Sequence, residues 1–458
     1  MPAPATTMAV TETRPVWKSF LAFLAPMMLS NILQALSGTI NNIYLGQMLG
    51  TAALASASVF FPIMFFFIAL IMGTGAGASI LIGQAWGAGE RDRVKAVAAT
   101  TLTTGLAFGL FVALVMTPLI RPMLAALGTP PDVLDGAVGY GTVIVVCMPA
   151  LVVFLLATQL VRGVGDTVTP LKALAISITI AMTLTPLLIR GRLGLPPLGA
   201  ASAASAAAIS WTLTACWMGW YLRRHDHPLA PDRVFLRHML PSLQILRLVL
   251  RLGVPSAVQM VIMALAEMVL VSLVNRYGTD ATAAYGAVNQ VMAYVQFPAM
   301  SVMITVSILS SQAIGARRLE MLPRILRAGL LFNLGLTGCL VLLAYLFSGS
   351  IVSLFLTTHG VVALTQSLLH IVLWSVVLYG AAGVFSGQMR ASGDVLIPTG
   401  LSALAILAVE VPVAWLLSRM IGIDGVWIAY PATFVAMLLF QFSYFQLSWR
   451  HKTIARLI

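Results

Sequence analysis

Apolar residues run along this chain in blocks of about 20 or more, the length a helix needs to cross a bilayer, with short polar or glycine-rich segments between them. Twelve blocks fit, at 17–44, 52–82, 94–118, 136–160, 170–190, 197–222, 248–275, 282–310, 326–348, 362–388, 396–418 and 424–447. Backbone groups in lipid must be satisfied within their own segment, so each block predicts a helix. The runs are continuous and not alternating, which excludes a membrane barrel. These are spans 1 to 12, and the fold they predict is all-α and membrane-integral.

Composition strengthens that reading. The 458 residues are 60% hydrophobic and only 9% charged, with a mean hydropathy of +0.97, far outside the make-up of soluble domains. A net charge of +12 could point to nucleic acid, but the placement of the basic residues speaks against it. With the N-terminus inside, 21 of the 26 Lys and Arg fall on the cytoplasmic side; Arg121, Arg190, Arg192, Arg276 and Arg419 are left on the other. That is the positive-inside pattern, and it predicts an inner-membrane protein with both termini in the cytoplasm and no nucleic-acid partner. The first 16 residues precede a span too long for a signal-peptide core, so no cleavage is expected. Cys147, Cys216 and Cys339 are odd in number and lie in apolar runs, as packing residues do.

The chain also repeats itself. Gly50-Thr51 recurs as Gly278-Thr279, Gln84-Ala85 as Gln312-Ala313, and Arg162, Gly165, Asp166 and Pro170 as Arg390, Gly393, Asp394 and Pro398, each 228 positions on. Past the tenth span the offset becomes 226, pairing Pro186 with Pro412 and Gly199 with Gly425. Six spans per half is even, so the halves enter the membrane in the same orientation as parallel repeats. The expected organisation is a tail over 1–16, an N-lobe over 17–222, a basic linker over 223–247, a C-lobe over 248–447 and a tail over 448–458. Two such lobes with a cleft at mid-membrane are the geometry of alternating access, so transport is the default function.

The loop sequences GQAWGAGERDRV, LGTPPDVL and VRGVGDTVTP, with their copies SQAIGARR and MRASGDVLIP, resemble the multidrug and toxic compound extrusion (MATE) family, in particular its bacterial NorM/DinF-like members. The resemblance implies twelve helices in two six-helix bundles. It also implies export of amphipathic, usually cationic, small molecules in exchange for H⁺ or Na⁺, with no other cofactor, and a monomer is expected. Taken on their own, the glycines of these loops let helix ends approach closely, and the Arg and Asp of RGVGD can pair at the cytoplasmic surface.

An ionised carboxylate at the bilayer centre costs roughly 2.5–3.5 kcal/mol, so each one needs a reason. Of the 14 acidic residues all but two fall in the N-terminal tail, loops or span ends; the exceptions are Glu267 in span 7 and Glu410 in span 11. No Lys or Arg lies inside a span to neutralise them. Relatives implied by the resemblance carry an acid where this chain has Asn41, and a pattern like NxxLDP where it has AMTLTP, leaving Ala181 and Thr185. Asparagine cannot exchange a proton in the working pH range. Both N-lobe acids are therefore replaced, and the ion-coupling role is expected at Glu267 and Glu410, with Na⁺ possible at Glu267. The resemblance places a second acid of the NorM-like branch near Tyr379 or Gly380; it is absent, and Glu410 is expected to substitute for it. The alternatives are a protonated packing residue at Glu267 and a kink cap at Glu410.

Asn41, Asn289, Gln290, Tyr294, Tyr379 and His370 are candidates for the substrate cavity, and interhelical hydrogen bonding is the alternative for each. Asn42 and Gln296 are similar. Pro26 and Pro255, near the starts of spans 1 and 7, are candidate hinges or static kinks. The stretch VFFPIMFFFIALIM offers adaptable apolar surface, or lipid-facing packing. His225 and His227 lack the companions of a metal site. No nucleophile elbow or phosphate loop is present, so the chain is not expected to be an enzyme. The competing functions are a flippase of lipid-linked oligosaccharides, which should carry Arg or Lys within its spans, and a channel or a membrane-embedded enzyme.

Overall fold

The computed structural model describes residues 16–126, 128–191, 199, 201–353 and 359–458, and of residues 42, 51–54, 132 and 359 the backbone alone. Residues 1–15 of the expected tail, with Glu12 and Arg14, lie outside the described residues, as do Arg192 and the side chain of Asn42. Ten helices are long and apolar enough to cross a membrane, and a bent pair makes an eleventh span. The twelfth is Ala201–Arg224, 24 residues whose Ala, Ser and Trp content makes it less apolar than the rest. All twelve expected spans are thus helical, in an all-α fold.

Span 4, expected as one helix over 136–160, is instead two, Pro131–Val146 and Met148–Gly163, bent by 54°. Pro149 follows the break at Cys147, and its missing N–H and bulky ring deny the ladder one bond at that point. Span 10 is likewise divided, into His359–Val372 and Val376–Ala391, by a 3₁₀ turn at Leu373–Ser375. Spans 9 and 11 stay continuous but each contains one π turn, Asn333–Thr337 and Ile406–Glu410.

Contacts divide the described residues into two units, one of Leu29–Val254 and the other of Pro255–Ile458 together with residues 16–28. The division therefore cuts through spans 1 and 7, next to Pro26 and Pro255, and assigns the linker to the first unit. In the second unit Phe20, Phe23, Leu24 and Met27 are buried in a cluster with Val302, Val306 and Ile325, and Phe20 stacks on Phe332 with ring centroids 5.2 Å apart. In the first unit the opening turns of span 7 meet span 2 backbone to backbone. A Cβ on Gly77 would lie 2.8 Å from the Val249 carbonyl oxygen, and one on Gly253 would lie 2.6 Å from Thr74 Cα. Glycine is the residue that permits such an approach. Both prolines sit inside uninterrupted helices, Val16–Tyr44 and Leu243–Val274.

The linker packs on its own unit. Asp232 pairs with Lys95 and caps the short helix Arg233–Arg237 by accepting from Phe235 N at 2.9 Å. The expected Arg–Asp pair within RGVGD does not form. Asp166 accepts from Val168 N and Thr169 N, both at 2.9 Å, capping span 5, while Arg162 donates to Gln159 Oε1 at 3.0 Å. A short acidic side chain at a helix start satisfies orphan N–H groups, which wins over a distant guanidinium. The second copy behaves likewise: Asp394 accepts from Tyr444 and Lys452, and Arg390 turns to Gln259.

Candidate functional site

Spans 7, 8, 10, 11 and 12 enclose a cavity of about 260 Å³ in the second unit. Glu267 and Glu410 both line it, with Asn289, Gln296, Tyr379 and Tyr430, against an apolar remainder that includes Met263 and Phe434. None of these lining residues is basic.

The two acids meet different surroundings. On span 8, Tyr285 and Asn289 are four residues apart and share a helix face. Both donate to Glu267 Oε1, Asn289 at 2.6 Å. The Tyr430 hydroxyl on span 12 reaches Oε2 at 3.0 Å and lies 3.0 Å from the Tyr285 hydroxyl. Tyr285 packs at 5.1 Å on Trp427, which is fully buried, so the phenols are held from behind by an aromatic wall. Three donors on one carboxylate make a strong charge-assisted cluster. Glu410, only 7% exposed, has no hydrogen-bond partner among the described residues. It ends the π turn of span 11, two residues before Pro412. Pro412 has no N–H to give the ladder, and a π turn is one way a helix absorbs that loss while re-aiming a side chain. The carboxylates of Glu267 and Glu410 are the groups here that could hold a proton, and with the Asn289 oxygen they could hold Na⁺.

Of the other candidates, Asn289 and Tyr379 line the cavity. Gln290 and Tyr294 are half-buried but do not, Tyr294 lying edge-on to Phe297. His370 is exposed and pairs with Ser348 at 3.1 Å beneath the ring of Tyr345. Asn41 is half-buried and belongs to the first unit. Tyr285 and Tyr430, whose hydroxyls reach Glu267, are the residues of this site that sequence reasoning passes over. The repeat carries their signal: at the 228 and 226 offsets their counterparts are Ala57 and Ala204.

The first unit has its own cavity, of about 310 Å³, lined by apolar residues with Thr74, Thr101 and Thr104. Each of those hydroxyls donates back to its own helix, to Leu70 O, Val97 O and Thr100 O. Nothing ionisable lines it.

The MatE family model matches two stretches of the chain, 26–187 and 255–416, one in each half. The chain is 42% identical over 445 residues to a probable multidrug resistance protein, YoeA, of Bacillus subtilis (strain 168), covering 97% of this chain and 96% of that protein. It is 25% identical over 430 residues to the multidrug export protein MepA of Staphylococcus aureus (strain bovine RF122 / ET3-1), covering 91% and 90%. Among solved structures, the outward-facing conformation of a multidrug resistance MATE family transporter of the MOP superfamily is similar in fold, with a TM-score of 0.87 at 24% identity, covering 96% and 98%. Two family matches, one in each half of a twelve-span helical fold, place the chain: it belongs to the MatE family, as a multi-pass membrane transporter and not an enzyme.

Proposed function

We propose that the protein is a secondary active exporter of amphipathic organic cations, driven by inward movement of H⁺ or Na⁺, with Glu267 and Glu410 as the coupling carboxylates. The observation that carries this reading is that both acids line one cavity without a basic neighbour. Two carboxylates in an apolar wall need a positive partner. An organic cation can be that partner in one half of the cycle and the coupling ion in the other. When the ion neutralises the acids, the attraction that held the cation is lost, and the equilibrium shifts between states. The membrane potential adds about 2.3 kcal/mol per charge per 100 mV. The multidrug names of YoeA and MepA support the substrate class. The basic residues crowded at one set of span ends support an inner-membrane orientation with cytoplasmic termini, and the protein is proposed to act as a monomer. An acidic cavity weighs against a flippase for anionic lipid-linked oligosaccharides.

The test is ethidium transport in proteoliposomes under an imposed pH gradient and, separately, an imposed Na⁺ gradient. One gradient should drive accumulation, and Glu267→Gln and Glu410→Gln should each remove it while the protein still purifies as a folded species. Wild-type transport by the double variant would refute the reading.

A further inference from the structure

Asn333, on span 9, is 1% exposed and opens the π turn Asn333–Thr337. Its Nδ2 donates to the Val377 carbonyl of span 10 at 2.9 Å, and its Oδ1 accepts from Thr337 Oγ1 at 3.2 Å. That Oδ1 also lies against Gly380, where a Cβ would collide with it. Val377 is the second residue of Val376–Ala391, directly after the 3₁₀ turn that divides span 10. The amide therefore grips span 10 where its own ladder is interrupted, and Tyr379 enters the cavity wall two residues later. A side chain bonded into a helix ladder sets the local bend.

The first half shows what this crossing needs for packing alone. The counterparts of Asn333 and Gly380 are Gly105 and Val152. There the glycine is on span 3 and the bulk on span 4, with an added Cβ at Gly105 3.0 Å from Val152 Cγ1. Leu156, closer still at 2.3 Å, and Val152 close on that glycine without any polar group, at the wall of the first cavity. In the second half the bulk has changed sides and become a buried amide, whose polar atoms are costly unless fully used.

We propose that Asn333 is a positioning residue for transport, which through Val377 and Gly380 fixes the face that Tyr379 presents to Glu267 and Glu410. This rests on the reading of that cavity as the transport site.

The test transplants the first-half pair into the second half as Asn333→Gly with Gly380→Val, in the full chain reconstituted in proteoliposomes, with ethidium as the probe. The expected result is a Tm in detergent close to wild type and a KM raised about tenfold, the weight of one buried hydrogen bond. In a Tyr379→Ala background the same pair should raise KM no further, because the effect passes through Tyr379. Thr337→Val guards against a pair that fails to fold: it keeps the volume, removes the donor that orients the amide, and should raise KM roughly threefold. A wild-type KM in Thr337→Val, or a rise in the pair that is undiminished without Tyr379, overturns the assignment. Where Glu267→Gln abolishes ethidium export and these variants keep a wild-type KM, the positioning role alone falls. Where wild-type protein exports no ethidium, or Glu267→Gln exports it normally, the transport site itself is misread and this inference falls with it.

Discussion

Each unit of this transporter encloses a cavity, and the two have been furnished differently. In the first, the polar groups are threonine hydroxyls turned back onto their own helices. In the second, two carboxylates, two phenols and two amides line one space, and a third phenol, Tyr285, reaches Glu267. The two cavities do not occupy matching places in the repeat: Thr39, Ala57, Phe61, Leu184 and Ala204 stand where Glu267, Tyr285, Asn289, Glu410 and Tyr430 do, and none of those five lines the first cavity. The first half thus forms its six helices without these polar groups at the matching places. Ionisable groups placed in a span at a cost are candidates for chemistry.

The largest effect should come from removing charge where the units differ most. Glu267→Gln should lower ethidium transport by a hundredfold or more, since it deletes the charge and leaves three donors facing a neutral amide, an effect on the order of 3 kcal/mol. Thr39→Ala, at the matching position, should change transport by less than about twofold, because the Thr39 hydroxyl is exposed and, among the described residues, bonds only to Ala35 O. Equal losses in both variants would show that the first unit carries coupling as well.

Packing gives the next contrast. Gly380→Ala drives a methyl into the Asn333 amide, which is held by Val377 and Thr337, whereas Gly105→Ala meets the far ends of Leu156 and Val152. Overpacking costs about 1–3 kcal/mol, and the rigid neighbour should put Gly380→Ala at the upper end and Gly105→Ala at the lower. Thermal unfolding in detergent reads the difference, and a larger drop for Gly105→Ala would mean that the amide yields easily.

This contrast also shows how far the sequence could be read. Hydrophobic runs locate every span, because the bilayer imposes their length whatever the packing. They do not locate the break at Cys147, since a proline inside an apolar run can kink a helix or leave it whole, and its neighbours decide. Glu267 and Glu410 stand out because ionisable groups in lipid are rare. Tyr285 and Tyr430 do not, because a tyrosine with its ring packed and its hydroxyl bonded is ordinary in any helix. Gln290 and Tyr294 share a span with Asn289 yet miss the cavity, and the reason is rotation: a helix apolar on all sides has no patterned face to show which way each residue points. The RGVGD pairing failed for a local reason, the competition between a nearby N-cap and a more distant ion pair.

A third contrast lies in the loops, where each half ends in a strap laid against the aspartate of its RGVGD or RASGD loop. In the first unit the partner is His227 of the linker, whose Nε2 is 3.6 Å from Asp166 Oδ2, too long for a hydrogen bond, while its Nδ1 accepts from Leu229 N at 3.2 Å. Burial outweighs the attraction of Asp166 and lowers the imidazole from 6.5 to about 4. The folded chain thus excludes a proton that the unfolded chain accepts, so stability is full above the unfolded value and falls as pH drops from about 6.5 toward 4. Between pH 7 and 5.5 the loss should be about 1 kcal/mol, visible as a falling Tm that His227→Asn flattens. An unchanged slope in that variant would place the acid sensitivity elsewhere.

In the second unit the partner is Lys452, which donates to Asp394 at 2.8 Å and to Tyr444 at 2.6 Å but remains exposed. Water screens an ion pair of this kind, and its weight is about 0–1 kcal/mol. The strap has other fastenings: Trp449 donates to Ser392 Oγ at 3.0 Å, and Leu457 packs over Gly393. Lys452→Met should therefore lower Tm by only a degree or two in a domain of this size. The drop should be the same at pH 5.5 and pH 7, because a lysine stays charged across that range. High salt should shrink it further. A drop as large as that of Gly380→Ala would mean that the tail, and not the helix crossing beneath it, holds this end of the second unit together.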